Sequence, residues 1–287
     1  MKRYKIDDAA FNITNVCNLT CNGCESFNNY NFKGHMKFAD YKNHYQRWSE
    51  LCDINQVTIH GGEPFTNKDI VTWAVGLKQL WPNAKEYFVA TNGTLLEPNK
   101  ETVKKVIKLG YYLNITVHDP AMLKDIVRQL KFVLDGIDYK VRTDVSNGAI
   151  LYYNGEQCVA MLEKTYDFKS SAIDIIKDKT WYMHNSNIND AYNVCLEDAG
   201  PCSFFHKGYL YQCQLTGLKD DLFLQFSIEP RAVDLLNQYT AGDPFAPAEQ
   251  LNKFFETFQT AIPQCTLCPG CPDTHAIYPM ATKKVKF

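Results

Sequence analysis

The chain has 287 residues, enough for one large α/β domain or for one domain with a small appendage. With 45% hydrophobic residues it can build a sizeable core, which excludes global disorder. Its 30 basic and 32 acidic residues leave a formal charge of −2, so it lacks the basic footprint needed to grip long nucleic acid, although a nucleoside remains within reach.

The N-terminus has no apolar signal core, because Asp7 and Asp8 interrupt it. The most apolar stretch, 70–81, contains Lys78 and is too short for a bilayer. The expectation is a cytoplasmic protein that is not anchored in a membrane. Eleven cysteines is an odd number, and in a reducing compartment clustered cysteines point to metal or redox chemistry rather than disulfides. Cys52 and Cys158 stand apart and read as buried, inert thiols.

In chain order, residues 9–14 read as a short strand running into an Asn-rich loop over 15–34. A helix is expected over 39–51, then an apolar strand over 56–60 that stops at Gly61-Gly62. A helix over 68–80 precedes Pro82, and a strand over 86–90 ends in the turn Thr91-Asn92-Gly93. The next helix spans 97–109, with Pro98 in its first turn and Gly110 just past its end. A strand over 112–117, a helix over 120–134 and a fifth strand over 139–145 complete the regular part. Strands alternating with helices of this length indicate parallel βα units and a curved or partly closed barrel. Loops after the strands form the active face of such folds. The cysteine loop, Gly61-Gly62, Thr91-Asn92 and His118-Asp119 therefore gather on one rim.

Beyond residue 146 the pattern weakens. Residues 149–153 extend a strand, 170–177 suggest a helix, and 180–201 are Asn-rich with little periodicity. Residues 208–213 alternate like a hairpin strand, and a helix over 249–262 leads to Cys265. A soft boundary near 180 divides the chain into 1–180 and 181–287.

The segment Cys17-Asn-Leu-Thr-Cys21-Asn-Gly-Cys24 crowds three thiols into eight residues. A four-iron cube takes four cysteines, so three leave one iron open to a ligand; a zinc site is the alternative, but it wants four protein ligands. Gly61-Gly62-Glu63-Pro64 follows at an offset that fits one helix and one strand. Together the two motifs resemble the signature of the radical S-adenosylmethionine (SAM) superfamily. The resemblance implies an α/β fold built on a partial (β/α)6-type barrel, and a 4Fe–4S cluster on Cys17, Cys21 and Cys24 whose open iron chelates SAM. It implies that Gly61, Gly62, Glu63 and Pro64 bind SAM, with backbone carbonyls and the Glu63 carboxylate receiving its ammonium. Asn92, in a segment like the family's TNG turn, and His118 are further candidates for SAM or substrate; each also reads as an ordinary turn or hydrogen-bonding residue. Arg142 is read as pointing into the barrel or as a structural ion pair. The family often has an aromatic residue before the third cysteine, where this chain has Gly23.

The second cysteine group comprises Cys202, Cys213 and the run Cys265-Thr-Leu-Cys268-Pro-Gly-Cys271. It resembles the Twitch domain, a shortened relative of SPASM domains, which implies one auxiliary 4Fe–4S cluster on Cys202, Cys213, Cys265 and Cys268. Cys195 and Cys271 are alternates, and a zinc ribbon is the alternative site. His206, between two cysteines, is expected near the ligands or at the surface.

The expected function is reductive cleavage of SAM to a 5′-deoxyadenosyl radical that takes hydrogen from a small-molecule substrate, for oxidation or modification. A flavodoxin or ferredoxin would supply electrons. The rival readings are peptide modification, nucleoside modification and a non-catalytic iron–sulfur electron carrier. No peptide-recognition domain is expected ahead of the barrel, which begins by about residue 9.

Overall fold

A computed structural model describes the chain except for residues 1–2, 22–23, 31, 145–147, 165–166, 169–171, 175–179, 200–202, 271–277, 280–282 and 285–287. Strand β1 (Tyr4–Asn12) is followed by α1 (Phe38–Leu51), β2 (Cys52–His60), α2 (Ile70–Leu80), β3 (Glu86–Thr91), α3 (Lys100–Lys108), β4 (Tyr112–Val117) and α4 (Leu123–Leu134). Each helix buries one stripe, such as Val103, Val106 and Ile107 on α3 and Ile126, Leu130 and Val133 on α4. These stripes pack on one face of the sheet, with Leu113, Ile115 and Val117 of β4 opposite them. Side chains alternate along a strand, so Tyr112, Asn114 and Thr116 face the other way, into the concave side.

Three more strands follow: β5 (Lys140–Thr143), β6 (Ile150–Asn154) and β7 (Gln157–Lys164). Here the sequence reading needs correction. The segment over 139–145 is not the fifth parallel strand; β7 pairs in parallel with β4, while β5 is the outermost strand of an antiparallel meander. The cause is a two-residue hairpin turn after Asn154, with Gly155 at φ +61°, which returns the chain to β4. Of the helix expected over 170–177, the described part, Ala172–Asp174, is a strand.

Helix α5 (Ile188–Ala199) lies in the Asn-rich stretch of little periodicity. The hairpin β8 (Phe204–His206) and β9 (Tyr209–Tyr211) then joins the main sheet, because β8 pairs in parallel with β1. The sheet order is β9-β8-β1-β2-β3-β4-β7-β6-β5, and β8, β1, β2, β3, β4 and β7 run parallel. This is the partial (β/α)6 architecture expected from the sequence. Phe205 of β8 stacks on Phe11 of β1 with ring centroids 4.6 Å apart, and burying such a ring stabilises by about 2–3 kcal/mol. The hairpin turn docks on α1, where Trp48 Nε1 donates to the Gly208 carbonyl.

Helices α6 (Gln214–Gly217), α7 (Lys219–Gln225), α8 (Pro230–Gln238) and α9 (Ala248–Thr257) complete the chain's helical part. A second core joins Trp181, Phe204, Leu215, Leu222 and Leu267 to Phe27 and Phe32 of the cysteine loop. The C-terminal elements thus pack directly on the loop that carries the first cysteines. Among the described residues no helix is long and apolar enough to cross a membrane.

Candidate active site

The cysteine loop begins where β1 ends. The loop is stitched to the turn after β2, with Gly62 N donating to Thr14 O at 2.9 Å and Glu63 N to Val16 O at 2.9 Å. Both glycines are needed for that approach. A Cβ on Gly62 would stand 2.3 Å from Val16 O and 2.9 Å from Cys17 N, and Gly61, at φ +154°, would place one 2.5 Å from Thr14 O. The two glycines therefore meet the chain's own cysteine loop, beside the first thiol, as well as lining the pocket.

The Glu63 carboxylate is held by the chain itself. It is fully buried and does not line the pocket. Its Oε1 accepts from Phe65 N and Thr91 Oγ1, and its Oε2 accepts from Thr91 Oγ1 and Asn92 N, all at 2.8–3.1 Å. Burial pushes its pKa up to about 7, against the lowering effect of these donors. Glu63 ties the Gly61-Gly62 turn to the Thr91-Asn92-Gly93 turn. Pro64 is likewise buried, in a short 3-10 turn capped by Glu63, and does not face the pocket.

Asn92 sits at the junction of these turns. Its Oδ1 accepts from Thr94 N, and its Nδ2 donates to Asn18 Oδ1 at 2.9 Å and to Cys17 Sγ at 3.8 Å. Leu19 N also donates to Cys17 Sγ, at 3.5 Å. Such donors to a ligand sulfur set its basicity and the potential of any iron it holds.

Cys17, Cys21 and Cys24 line one pocket at the carboxyl ends of the strands, together with Gly61, Gly62, Asn92 and His118. The predicted rim is therefore assembled. The pocket also takes His60, the last residue of β2, Thr116 of β4, and Gln214 of α6. His60 and Thr116 are strand-end positions that the rim argument reaches in principle; Gln214 had no local signal. Ser26, two residues after Cys24, donates to Gln214 Oε1, and Gln214 directly follows Cys213. Arg142 does not enter the barrel: it is exposed on β5 and its guanidinium lies 5.0 Å from the Tyr153 ring.

Burial drives the Cys17 thiol upward and pushes Cys21 up to about 12, so both are protonated until a metal displaces the proton. Three thiols outside any disulfide, facing one pocket, suit iron. Among the described residues no three His, Cys, Asp or Glu side chains stand close enough to share a single ion. Thiolates on different irons of a cluster stand farther apart than those around one zinc, which lies about 2.3 Å from each.

In the second group, Cys202 and Cys271 lie outside the described residues. Cys213 caps α6, and Cys265 and Cys268 bracket one 3-10 turn, with Cys268 N donating to Cys265 O. Helix α5 packs on that turn and carries Cys195 to it. Burial pushes the Cys265 thiol up to about 11, and the Cys213 and Cys195 thiols add to the shift. Cys213 is raised the same way, with Cys195 contributing. These three thiols thus lie within electrostatic range of one another. His206 is neither a surface residue nor beside these thiols in any described contact; it is buried, 2.9 Å from Asn12 Nδ2 through Nδ1 and 3.7 Å from Asp221 through Nε2.

Fold and pocket together define a partial (β/α) barrel whose thiol-bearing site opens at the carboxyl ends of its strands. Residues 11–156 match the family model described as the radical SAM superfamily, and the chain belongs to that superfamily. The structure of BtrN in complex with AdoMet and 2-DOIA is similar over 93% of this chain and 94% of that one, at 16% identity and a TM-score of 0.51. The anSMEcpe structure with bound AdoMet and a Cp18Cys peptide covers 47% of this chain and 40% of its own, at 17% identity and a TM-score of 0.35. Streptococcus suis SuiB bound to precursor peptide SuiA covers 44% and 36%, at 13% identity and a TM-score of 0.27. No curated protein matches the chain significantly.

Proposed function

We propose that this chain is a radical SAM oxidoreductase acting on a small molecule, with a SAM-binding 4Fe–4S cluster on Cys17, Cys21 and Cys24. The observation that carries the reading is one pocket in which three thiols, two glycines of the GGE turn and Asn92 converge. We further propose a second, Twitch-type cluster on Cys213, Cys265, Cys268 and Cys195, with Cys202 as the alternative fourth ligand. Held by Cys17, Cys21 and Cys24, the first cluster would supply the electron for reductive SAM cleavage to methionine and a hydrogen-abstracting 5′-deoxyadenosyl radical, and the second would accept the one electron left on the substrate after hydrogen abstraction.

The chain's own residues hold the site. Asn92 and the Leu19 amide donate to Cys17 Sγ. Phe88 and Tyr112 stack at 5.2 Å on the inner face of β3 and β4. The small-molecule reading draws on the likeness to BtrN. BtrN, whose structure holds AdoMet with 2-DOIA, shares the fold over 94% of its length. We assign the protein to the cytoplasm, whose reducing conditions keep the nine described cysteines as free thiols, with a flavodoxin or ferredoxin as electron donor.

The test is anaerobic reconstitution with iron and sulfide. About eight irons per chain are expected, as two four-iron clusters require, together with 5′-deoxyadenosine release on reduction. Cys17→Ala, Cys21→Ala and Cys24→Ala should each abolish that release; undiminished cleavage in any of them refutes the site.

A further inference from the structure

A closed ring of buried side chains stands behind the first thiol of the cysteine loop. Asn92 follows β3 and lines the pocket, and its backbone N is fixed to Glu63 Oε2 at 2.8 Å. Asn18 and Thr94 are buried beside it and do not line the pocket. Asn92 Nδ2 donates to Asn18 Oδ1 at 2.9 Å, Asn18 Nδ2 to Thr94 Oγ1 at 2.7 Å, and Thr94 Oγ1 to Asn92 Oδ1 at 2.6 Å. The three bonds run in one sense around the ring, so each polarises the next. Thr94 N also donates to Asn92 Oδ1, at 3.0 Å. Turning the amide over would set its NH2 against that N–H, so the ring fixes which end of Asn92 carries the hydrogens. One Nδ2 hydrogen goes to Asn18. The other is directed at Cys17 Sγ, 3.8 Å from Nδ2, which Leu19 N reaches at 3.5 Å. Every polar valence of the Asn92 side chain is then used within the chain.

We infer that Asn92, locked by Asn18 and Thr94, is a positioning residue for the Cys17 sulfur and raises the reduction potential of the SAM-binding cluster. This deepens the radical SAM reading above and rests on it. A donor aimed at a ligand sulfur draws charge from it. One-electron reduction adds negative charge that spreads onto the sulfurs, so the donor stabilises the reduced form more than the oxidised one. Burial of the ring keeps water from screening the amide dipole. A higher potential eases acceptance of the electron from the donor protein and weakens its delivery to SAM. Asn92 sets the balance between the two.

The experiment is a potentiometric titration, followed by electron paramagnetic resonance, of anaerobically reconstituted full-length protein without SAM. The signal that changes when SAM is added afterwards identifies the first cluster. Asn92→Ala should lower the equilibrium constant for its reduction roughly 3- to 10-fold, the upper figure corresponding to about 59 mV for a one-electron couple. Asn92→Asp should lower it further, because it replaces the donor with a negative charge. Thr94→Val unlocks the ring without removing the donor, and should shift the potential in the same direction by less. A second measurement needs no variant. In wild-type protein with an isotopic nitrogen label confined to asparagine side-chain amides, the pulsed spectrum of the reduced first cluster should show a hyperfine coupling to that label. This measurement decides the matter if the variants fail to assemble the cluster. Unchanged potentials in both Asn92 variants overturn the inference, as does a wild-type spectrum without the coupling. An Asn92→Ala protein with the wild-type potential and weakened SAM binding also overturns it, making Asn92 a SAM contact. The two failures are distinguishable. Wild-type protein without a SAM-responsive cluster defeats the radical SAM reading, whereas one with such a cluster and no shift or coupling defeats only the role of Asn92.

Discussion

Among single residues, Glu63 shows how a motif can be legible while its role is not. The sequence displays Gly61-Gly62-Glu63, but only the fold brings Thr91 and Asn92 onto the carboxylate, across a sequence separation of 28–29 residues. Glu63→Ala is expected to destabilise the protein by about 2–4 kcal/mol, because it strands buried donors in the Thr91–Asn92 turn. Chemical denaturation of the metal-free protein measures this. The pH dependence follows from the raised pKa of about 7. The folded state binds the proton more tightly than the unfolded chain does. The Glu63 contribution is therefore complete below the ordinary carboxylate pKa and is lost as pH rises through about 7. Glu63→Gln should flatten that part of the profile while lowering stability throughout, since its amide NH2 faces donors. An unchanged slope would show that another group titrates there.

At the level of elements, the alternating βα pattern up to residue 134 is readable because buried parallel strands and amphipathic helices have distinct periods. The reading fails at β5 because strand character alone does not say which neighbour a strand takes. The signal that could have settled it is local: Gly155-Glu156 between two strand-like runs is a two-residue hairpin turn. Helix α5 was hidden by its Asn and Asp content, which disguises the stripe of Ala191 and Val194. With α5 unseen, Cys195 ranked below Cys202. Cys195 lies within electrostatic range of Cys213 and Cys265; on the ligand set proposed above, Cys195→Ala should lower iron to about four per chain while Cys202→Ala keeps about eight. Iron and sulfide analysis of the two variants decides between them, and the opposite pattern restores Cys202. The β8–β9 hairpin gives a stability test. Gly208 has φ +86°, and a Cβ there would lie 2.8 Å from the His44 ring, so Gly208→Ala should cost about 1–3 kcal/mol in denaturation.

For the whole molecule, the second cysteine group was legible, but its union with the first was not. That union depends on aromatic packing between distant segments, with Trp181 stacked on Phe226 at 4.9 Å and edge-on to Tyr30 at 5.2 Å. Phe27, three residues past Cys24, packs against the same tryptophan. The wider sheet has its own logic at its far end. Strand β5 closes it with four exposed residues, and two of them are Lys140 and Arg142. An open sheet that stops on unpaired backbone groups is a template for another chain, and charges on the last strand repel a like edge from a second copy. Lys140→Thr with Arg142→Thr removes both. The double variant should keep its far-ultraviolet circular dichroism yet form concentration-dependent aggregates in light scattering, where the wild type does not. On that expectation Arg142, a candidate for the barrel interior by sequence, would guard against polymerisation at the opposite margin of the sheet.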